Sequence, residues 1–256
     1  MKNKVIIALI CAFSVMLAVS SGFLIKHHFD SQKQAEIYKE LVEAIETEPE
    51  ETKEPMNYSD EKTFIPEYQE LYMQNNDMVG WIKVEDTKIN YPVMQSLDEP
   101  NFYLKHGFDK KYTNYGCPYA QENCDMEQPS DNIVIYGHNM NDGSMFSALT
   151  KYKSKEFWES HKYITFDTLT DKQNYEVIAA FKTVVYTDNP ESFKYYQFVN
   201  AGTADEFNAY MTKCKELALY DTGVTAEYGD KLITLSTCEY SRTNGRMVVV
   251  AKLVTE

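Results

Sequence analysis

Lys231–Val254 reads KLITLSTCEYSRTNGRMVVVAKLV, and this stretch decides the fold. Two apolar runs, Lys231–Thr237 and Met247–Val254, flank the polar connection Glu239–Gly245. Their length and β-branched content suit strands. If the two pair as a hairpin, Cys238 at the end of the first and Arg246 at the start of the second meet at the same end. A side chain at a strand end faces a loop, where a substrate can reach it.

The chain from Thr63 onward repeats this pattern. Val79–Val84, Lys88–Val93, Asn132–Tyr136 and Tyr175–Tyr186 read as strands. Asn132–Tyr136, NIVIY, is a short apolar run bounded by Asp131 and Gly137, which suits a buried strand. Pro66–Asn75 has a helical pattern. Thr203-Ala204-Asp205-Glu206 is a capping box, and Phe207, Tyr210, Met211, Cys214 and Leu217 follow it as one apolar stripe. The body is therefore mainly β, mostly antiparallel, with inserted helices. Its 20 tyrosines suit half-buried pleated surfaces and, equally, a peptide-binding groove.

The N-terminus carries a separate signal. Val5–Ile25, VIIALICAFSVMLAVSSGFLI, runs 21 residues without a charge. As a helix it spans roughly 30 Å, the thickness of the bilayer's hydrocarbon layer. Lys2, Lys4 and the terminal amine precede it and favour an inside N-terminus. The expected layout is a cytoplasmic tip at 1–4, a signal-anchor at 5–25, a stalk at 26–62 and a folded body at 63–256. That is a single-pass protein of the cell membrane with its body outside. Ala18-Val19-Ser20 loosely resembles a cleavage site, so removal of the segment is the rival outcome; the body is exported either way. Within the stalk, Gln32–Glu46 has helical spacing. The acidic run Glu46–Glu54, broken by Pro49 and ended by Pro55, suits extended chain.

Net charge is −14. With Lys2 and Lys4 set aside, 23 of the 25 basic side chains face all 39 acidic ones, so the body repels polyanions and nucleic acid is excluded as a partner.

Five cysteines and five histidines narrow the chemistry. Cys11 lies in the apolar run and Cys214 on the helical stripe, where a free cysteine behaves as a small hydrophobe. Cys117 and Cys124 share a loop, and spacing leaves their pairing open. No further ligands accompany them in a recognisable spacing, so no metal site is expected. His27 and His28 fall beside the apolar run, and His106 and His161 suit solvated positions. His138 follows NIVIY and Gly137, the same kind of strand-end position as Cys238. Taken singly, Cys238 suits a buried thiol and His138 a hydrogen-bonded loop histidine as readily as a reactive pair. Of the two arginines after Cys238, Arg242 is mid-loop, and strand pairing favours Arg246.

Thr234-Leu235-Ser236-Thr237-Cys238, with Arg246 at the next strand start, resembles the signature of sortases, in which a TLxTC strand ends in the nucleophile. Asn132–Asp142, NIVIYGHNMND, continued by Gly143-Ser144-Met145-Phe146, is similar to the family's histidine segment. Val79–Lys83 and Thr87–Val93 resemble the opening strands of class B members, and the helix Thr203–Leu217 resembles the class B elaboration. The likeness runs from about Leu71 to Leu253.

The resemblance implies a closed β-barrel with inserted helices and an N-terminal helical extension. It also implies a cysteine transpeptidase without cofactor. Cys238 attacks the carbonyl after Thr in the C-terminal sorting signal of a secreted protein, NPxT-like in class B. A thioacyl enzyme forms, and an amine of the peptidoglycan precursor takes up the acyl group. His138 serves as acid and base. An arginine stays charged and cannot be a base, so Arg246 suits the oxyanion or the substrate backbone, with Arg242 the alternative. Ser236, Thr237 and Glu239 around the nucleophile, and Tyr196 in the aromatic segment Phe193–Tyr196, are candidate substrate contacts. A thiol hydrolase, a pilus-polymerising sortase and a non-catalytic surface binding module are the rival functions.

Overall fold

The computed structural model describes residues 2–47, 56–59, 62–185 and 192–255; in the N-terminal helix, side chains are described except at 2–5, 7–9, 12, 23, 24 and 27. The chain comprises two compact units, Met1–Glu43 and Ala44–Glu256. Nearly all of the first belongs to α1 (Lys2–Glu46), one 45-residue helix that takes in both the apolar run and Gln32–Glu46 and whose last three residues fall in the second unit. Phe13, Leu17 and Val19 on it are exposed. Among the described residues no helix is long and apolar enough to cross a membrane. Most of the acidic run Glu46–Glu54, with Pro49 and Pro55, lies outside the described residues, as does Tyr186.

The second unit contains α2 (Pro66–Gln74), β1 (Met78–Lys83), β2 (Asn90–Met94), β3 (Tyr119–Ala120), β4 (Asn132–Tyr136), α3 (Lys155–Ser160), β5 (Tyr163–Thr168), β6 (Asn174–Val184), α4 (Ala204–Leu217), β7 (Leu232–Cys238) and β8 (Gly245–Leu253). The eight strands close into a barrel in the order β1-β2-β3-β4-β7-β8-β6-β5. The closed, mainly β architecture agrees with expectation. Two strands, β3 and β5, were not anticipated, and two pairings, β2–β3 and β4–β7, are parallel.

The central strands explain the closure. Ile233 and Leu235 of β7, Val134 and Ile135 of β4, and Met247–Ala251 of β8 are fully buried. Such unbroken aliphatic runs need cover on both faces. The barrel interior supplies one. On the other, α4 packs on β6, and the 3-10 segment Phe146–Lys153 packs on β7 and β8.

The α4 start is capped as its sequence predicts. Thr203 Oγ1 accepts from the Glu206 amide at 3.3 Å, while Glu206 reaches back to the amide of Gly202, one residue earlier than an ideal box, at 2.7 Å. Its stripe Phe207, Tyr210, Met211 and Cys214 is buried. Tyr210 OH meets Thr234 Oγ1 at 3.0 Å, and Thr234 donates to Asn132 Oδ1 at 2.8 Å, so a polar chain ties α4 to β7 and β4.

β4 and β7 pair without a slip from Asn132↔Leu232 to Tyr136↔Ser236. Parallel strands leave a sheet at the same rim. The loop after Tyr136 and the end of β7 beyond Ser236 therefore open side by side.

Candidate active site

Both segments carry residues singled out in the sequence. His138 and Cys238 each lie two positions beyond Tyr136↔Ser236, the last rung of the β4–β7 ladder. Cys238 is the only residue of β7 that is not fully enclosed. Across the β7–β8 ladder its direct partner is Arg246. Cys238, His138 and Arg246 line one cavity of about 400 Å³, so the fold brings the three together.

Two glycines make this rim possible. A methyl group at Gly137 would lie 2.5 Å from Phe146 Cγ, so only glycine lets the chain leave β4 under that ring. A methyl group at Gly245 would lie 2.3 Å from the Glu239 carbonyl oxygen. The Glu239 amide donates to the Gly245 carbonyl at 2.9 Å, closing the hairpin loop at its base.

His138 is half-buried, and its Nε2 lies 2.7 Å from the Leu104 carbonyl oxygen. A carbonyl can only accept, so Nε2 carries the proton and the neutral ring keeps Nδ1 bare. Burial lowers the imidazole pKa below its ordinary value, nearby Lys105 adds to that, and the Leu104 bond works against it. Leu104 ends the 3-10 turn Phe102–Leu104, 34 residues upstream. Nothing in the sequence pattern marked its carbonyl, because a backbone acceptor has no residue signature. Arg246 is half-buried, and Nη1 donates to the Gly245 carbonyl at 2.9 Å.

The candidate substrate contacts separate. Ser236, Thr237 and Tyr196 line the cavity. Ser236 Oγ bonds the Tyr195 hydroxyl at 2.6 Å, and Thr237 Oγ1 donates to the Gly137 carbonyl at 2.7 Å, so both hydroxyls serve the wall. Glu239 is buried away from the cavity. Its carboxylate accepts from the Ser241 amide at 3.1 Å, from the Ser241 hydroxyl, and from Lys153 Nζ at 3.1 Å. Chiefly through the Ser241 hydroxyl, its pKa falls to about 2. Arg242 is exposed and lines a different cleft, with Glu239 and Ser241.

The remaining titratable candidates lie elsewhere. His106 and His161 are half-buried, not solvated. Each stacks on the phenylalanine four residues before it, Phe102 at 3.9 Å and Phe157 at 3.8 Å, and each Nδ1 bonds that residue's carbonyl. The thiols of Cys117 and Cys124 are buried and contact separate backbone carbonyls, those of Pro92 and Asn132. A larger cleft of about 830 Å³ is lined in part by Asp77, Asp125, Asp171 and Cys124. It holds none of the candidate site residues, and burial pushes its Cys124 thiol up to about 11. Among the described residues no group of His, Cys, Asp and Glu is arranged to hold a metal ion.

A family model for the sortase domain matches residues 82–254. The chain belongs to the sortase family. Sortase B of Listeria monocytogenes is 36% identical over 192 residues, covering 74% of this chain and 75% of that one. The crystal structure of sortase B from B. anthracis in complex with AAEK1 superposes with a TM-score of 0.74 at 30% identity, covering 90% of this chain and all of that one. The Staphylococcus aureus sortase B–substrate complex gives a TM-score of 0.74 at 26% identity, covering 89% and 99%. These relatives are of class B, in agreement with the motifs read from the sequence, and the enzyme class of this sortase is cysteine transpeptidase.

Proposed function

We propose that this sortase cleaves a C-terminal sorting signal after Thr, through a thioacyl intermediate on Cys238, and transfers the new C-terminus to a cell-wall amine. The observation that carries the reading is the pairing of Cys238 with Arg246 across one ladder, with His138 lining the same cavity.

The roles follow from the groups. The thiolate is the nucleophilic form of cysteine. Bare Nδ1 of a neutral His138 takes the Cys238 proton, and the sulfur attacks the carbonyl carbon. The carbonyl oxygen becomes an oxyanion, for which the Arg246 guanidinium offers forked donors. His138 returns the proton to the leaving amine as the peptide bond breaks. In the second half an incoming amine attacks the thioester and loses a proton to His138. The amide forms, and the thiol leaves with that proton. Ser236, Thr237 and Tyr196 border the path of the peptide.

The same reading assigns residues 5–25 as the membrane anchor, 26–62 as the stalk and 63–256 as the catalytic domain outside the cell. The uncharged 21-residue run behind Lys2 and Lys4 supports it. Secreted proteins with NPxT-like or related signals are the substrates, and a peptidoglycan precursor supplies the amine. Both reside at the outer membrane face, where tethering raises the local enzyme concentration.

Mass spectrometry of the ectodomain with a set of sorting peptides tests the reading. The expected result is an acyl adduct on Cys238 that Cys238→Ala abolishes and an added amine resolves to a new amide. An adduct surviving in Cys238→Ala overturns it. A product formed only with water makes the chain a hydrolase.

A further inference from the structure

The β4–β7 ladder stops at Tyr136↔Ser236, supplemented by Gly137 N–H on the Ser236 carbonyl at 3.1 Å. His138 and Cys238 both lie beyond it, so main-chain pairing between the two strands does not fix their relation. Side chains take over. Asn139 Nδ2 donates to the carbonyl of Cys238 itself at 2.9 Å. Tyr240 OH donates to the Asn139 carbonyl at 3.0 Å, and Thr237 Oγ1 to that of Gly137 at 2.7 Å.

We infer that Asn139 is a positioning residue for the proposed thiol–imidazole pair, an inference that rests on the reading above. Its amide grips the peptide group between Cys238 and Glu239 on the carbonyl side, while Gly245 holds the N–H side at 2.9 Å. A peptide plane held on both sides fixes the backbone torsion at Cys238 and with it the direction of the Cα–Cβ bond. Because Asn139 directly follows His138, the same contact sets the imidazole against the sulfur.

The competing explanation is that Asn139 only shapes its own loop. That loop is already held without the side chain. Asn139 and Met145 form a backbone bridge, the Phe146 amide bonds the His138 carbonyl at 2.8 Å, and the Met140 amide bonds Ser147 Oγ at 2.6 Å. The bond from the Asn139 side-chain amide instead crosses 99 residues to the nucleophile candidate.

Asn139→Ala and the isosteric Asn139→Asp, whose carboxylate cannot donate, test this in the whole ectodomain. Each is assayed for kcat and KM with a sorting peptide and for the pH profile of Cys238 alkylation by iodoacetamide. Rates are divided by the fraction of folded chain. The expected result is a fall in kcat of roughly ten- to a hundred-fold, a KM within about two-fold, and a displaced alkylation profile. A merely structural residue would lower the folded fraction and leave the corrected kcat and the profile in place; that outcome overturns the inference. Should both variants fail to fold, Tyr240→Phe, which removes the hydrogen bond to the Asn139 carbonyl, decides by whether the corrected kcat falls or stays. Wild-type chain that never acylates at Cys238 refutes the transpeptidase reading itself. Wild type that does, matched by the variants, refutes only the role of Asn139.

Discussion

Cys238 and Arg246 are direct partners in the β7–β8 ladder, so sulfur and guanidinium are presented together by backbone pairing, with seven residues of connection between them. Arg242, inside that connection, is exposed and turned to another cleft.

The two arginines therefore separate in a simple experiment. Arg246→Ala lowers the single-turnover rate of adduct formation by roughly 10²–10³-fold, the loss typical of one oxyanion donor. Arg246→Lys recovers only part, because an ammonium lacks the planar fork. Arg242→Ala stays close to wild type. Quenched-flow mass spectrometry with one peptide reads all three. Equal losses at 242 and 246 would remove the ladder as the basis of the assignment.

Gly137 passes beneath Phe146 with no room for a methyl group. Gly137→Ala forces the ring or the His138 loop to shift, at a cost of roughly 1–3 kcal/mol. Chemical denaturation shows the loss in stability, and the adduct assay falls with it because His138 is the next residue.

Ser236 and Tyr195 share a buried hydroxyl pair at 2.6 Å. Tyr195→Phe strands the Ser236 hydroxyl and costs roughly 1–3 kcal/mol. Adding Ser236→Ala removes the stranded group and recovers part of that loss. A double-mutant cycle by urea denaturation measures the coupling, and strictly additive losses would contradict it.

Glu239 has a folded pKa of about 2 against an ordinary 4.5, lowered chiefly by Ser241 and then by Lys153. A depressed carboxylate stabilises the fold fully above its unfolded value, and that contribution drains away as pH falls from about 4.5 to about 2. Glu239→Gln therefore melts below wild type at neutral pH, and the gap closes on acidification through that window. Thermal melts of both proteins from neutral pH to pH 2 check it.

How much of this was legible depends on where each interaction sits in the chain. The β7–β8 hairpin was readable because two apolar runs lie either side of a short polar loop, and the Cys238–Arg246 pairing follows from adjacency. β5, YITFDT, was missed because Asp167 interrupts it with a charge. That carboxyl is buried and accepts from Tyr68 at 2.6 Å, a compensation that periodicity cannot reveal. β3 has two residues, too few for any pattern. The parallel β4–β7 pairing joins segments 100 residues apart, and Leu104 acts on His138 through its backbone. Glu239 read as a groove residue by its place beside Cys238, but a charged residue in a tight loop turns toward whichever cation its neighbours offer, here Lys153.

The two parallel strands advance in lockstep, so that residue n of one always faces residue n plus 100 of the other. Inserting or deleting a single residue inside either strand would break that count and swing the thiol to the opposite wall. The loops at the rim are under no such constraint. Tyr196, half-buried at the cavity edge, can be replaced without touching that count, whereas Tyr195 beside it is tied to the ladder through Ser236.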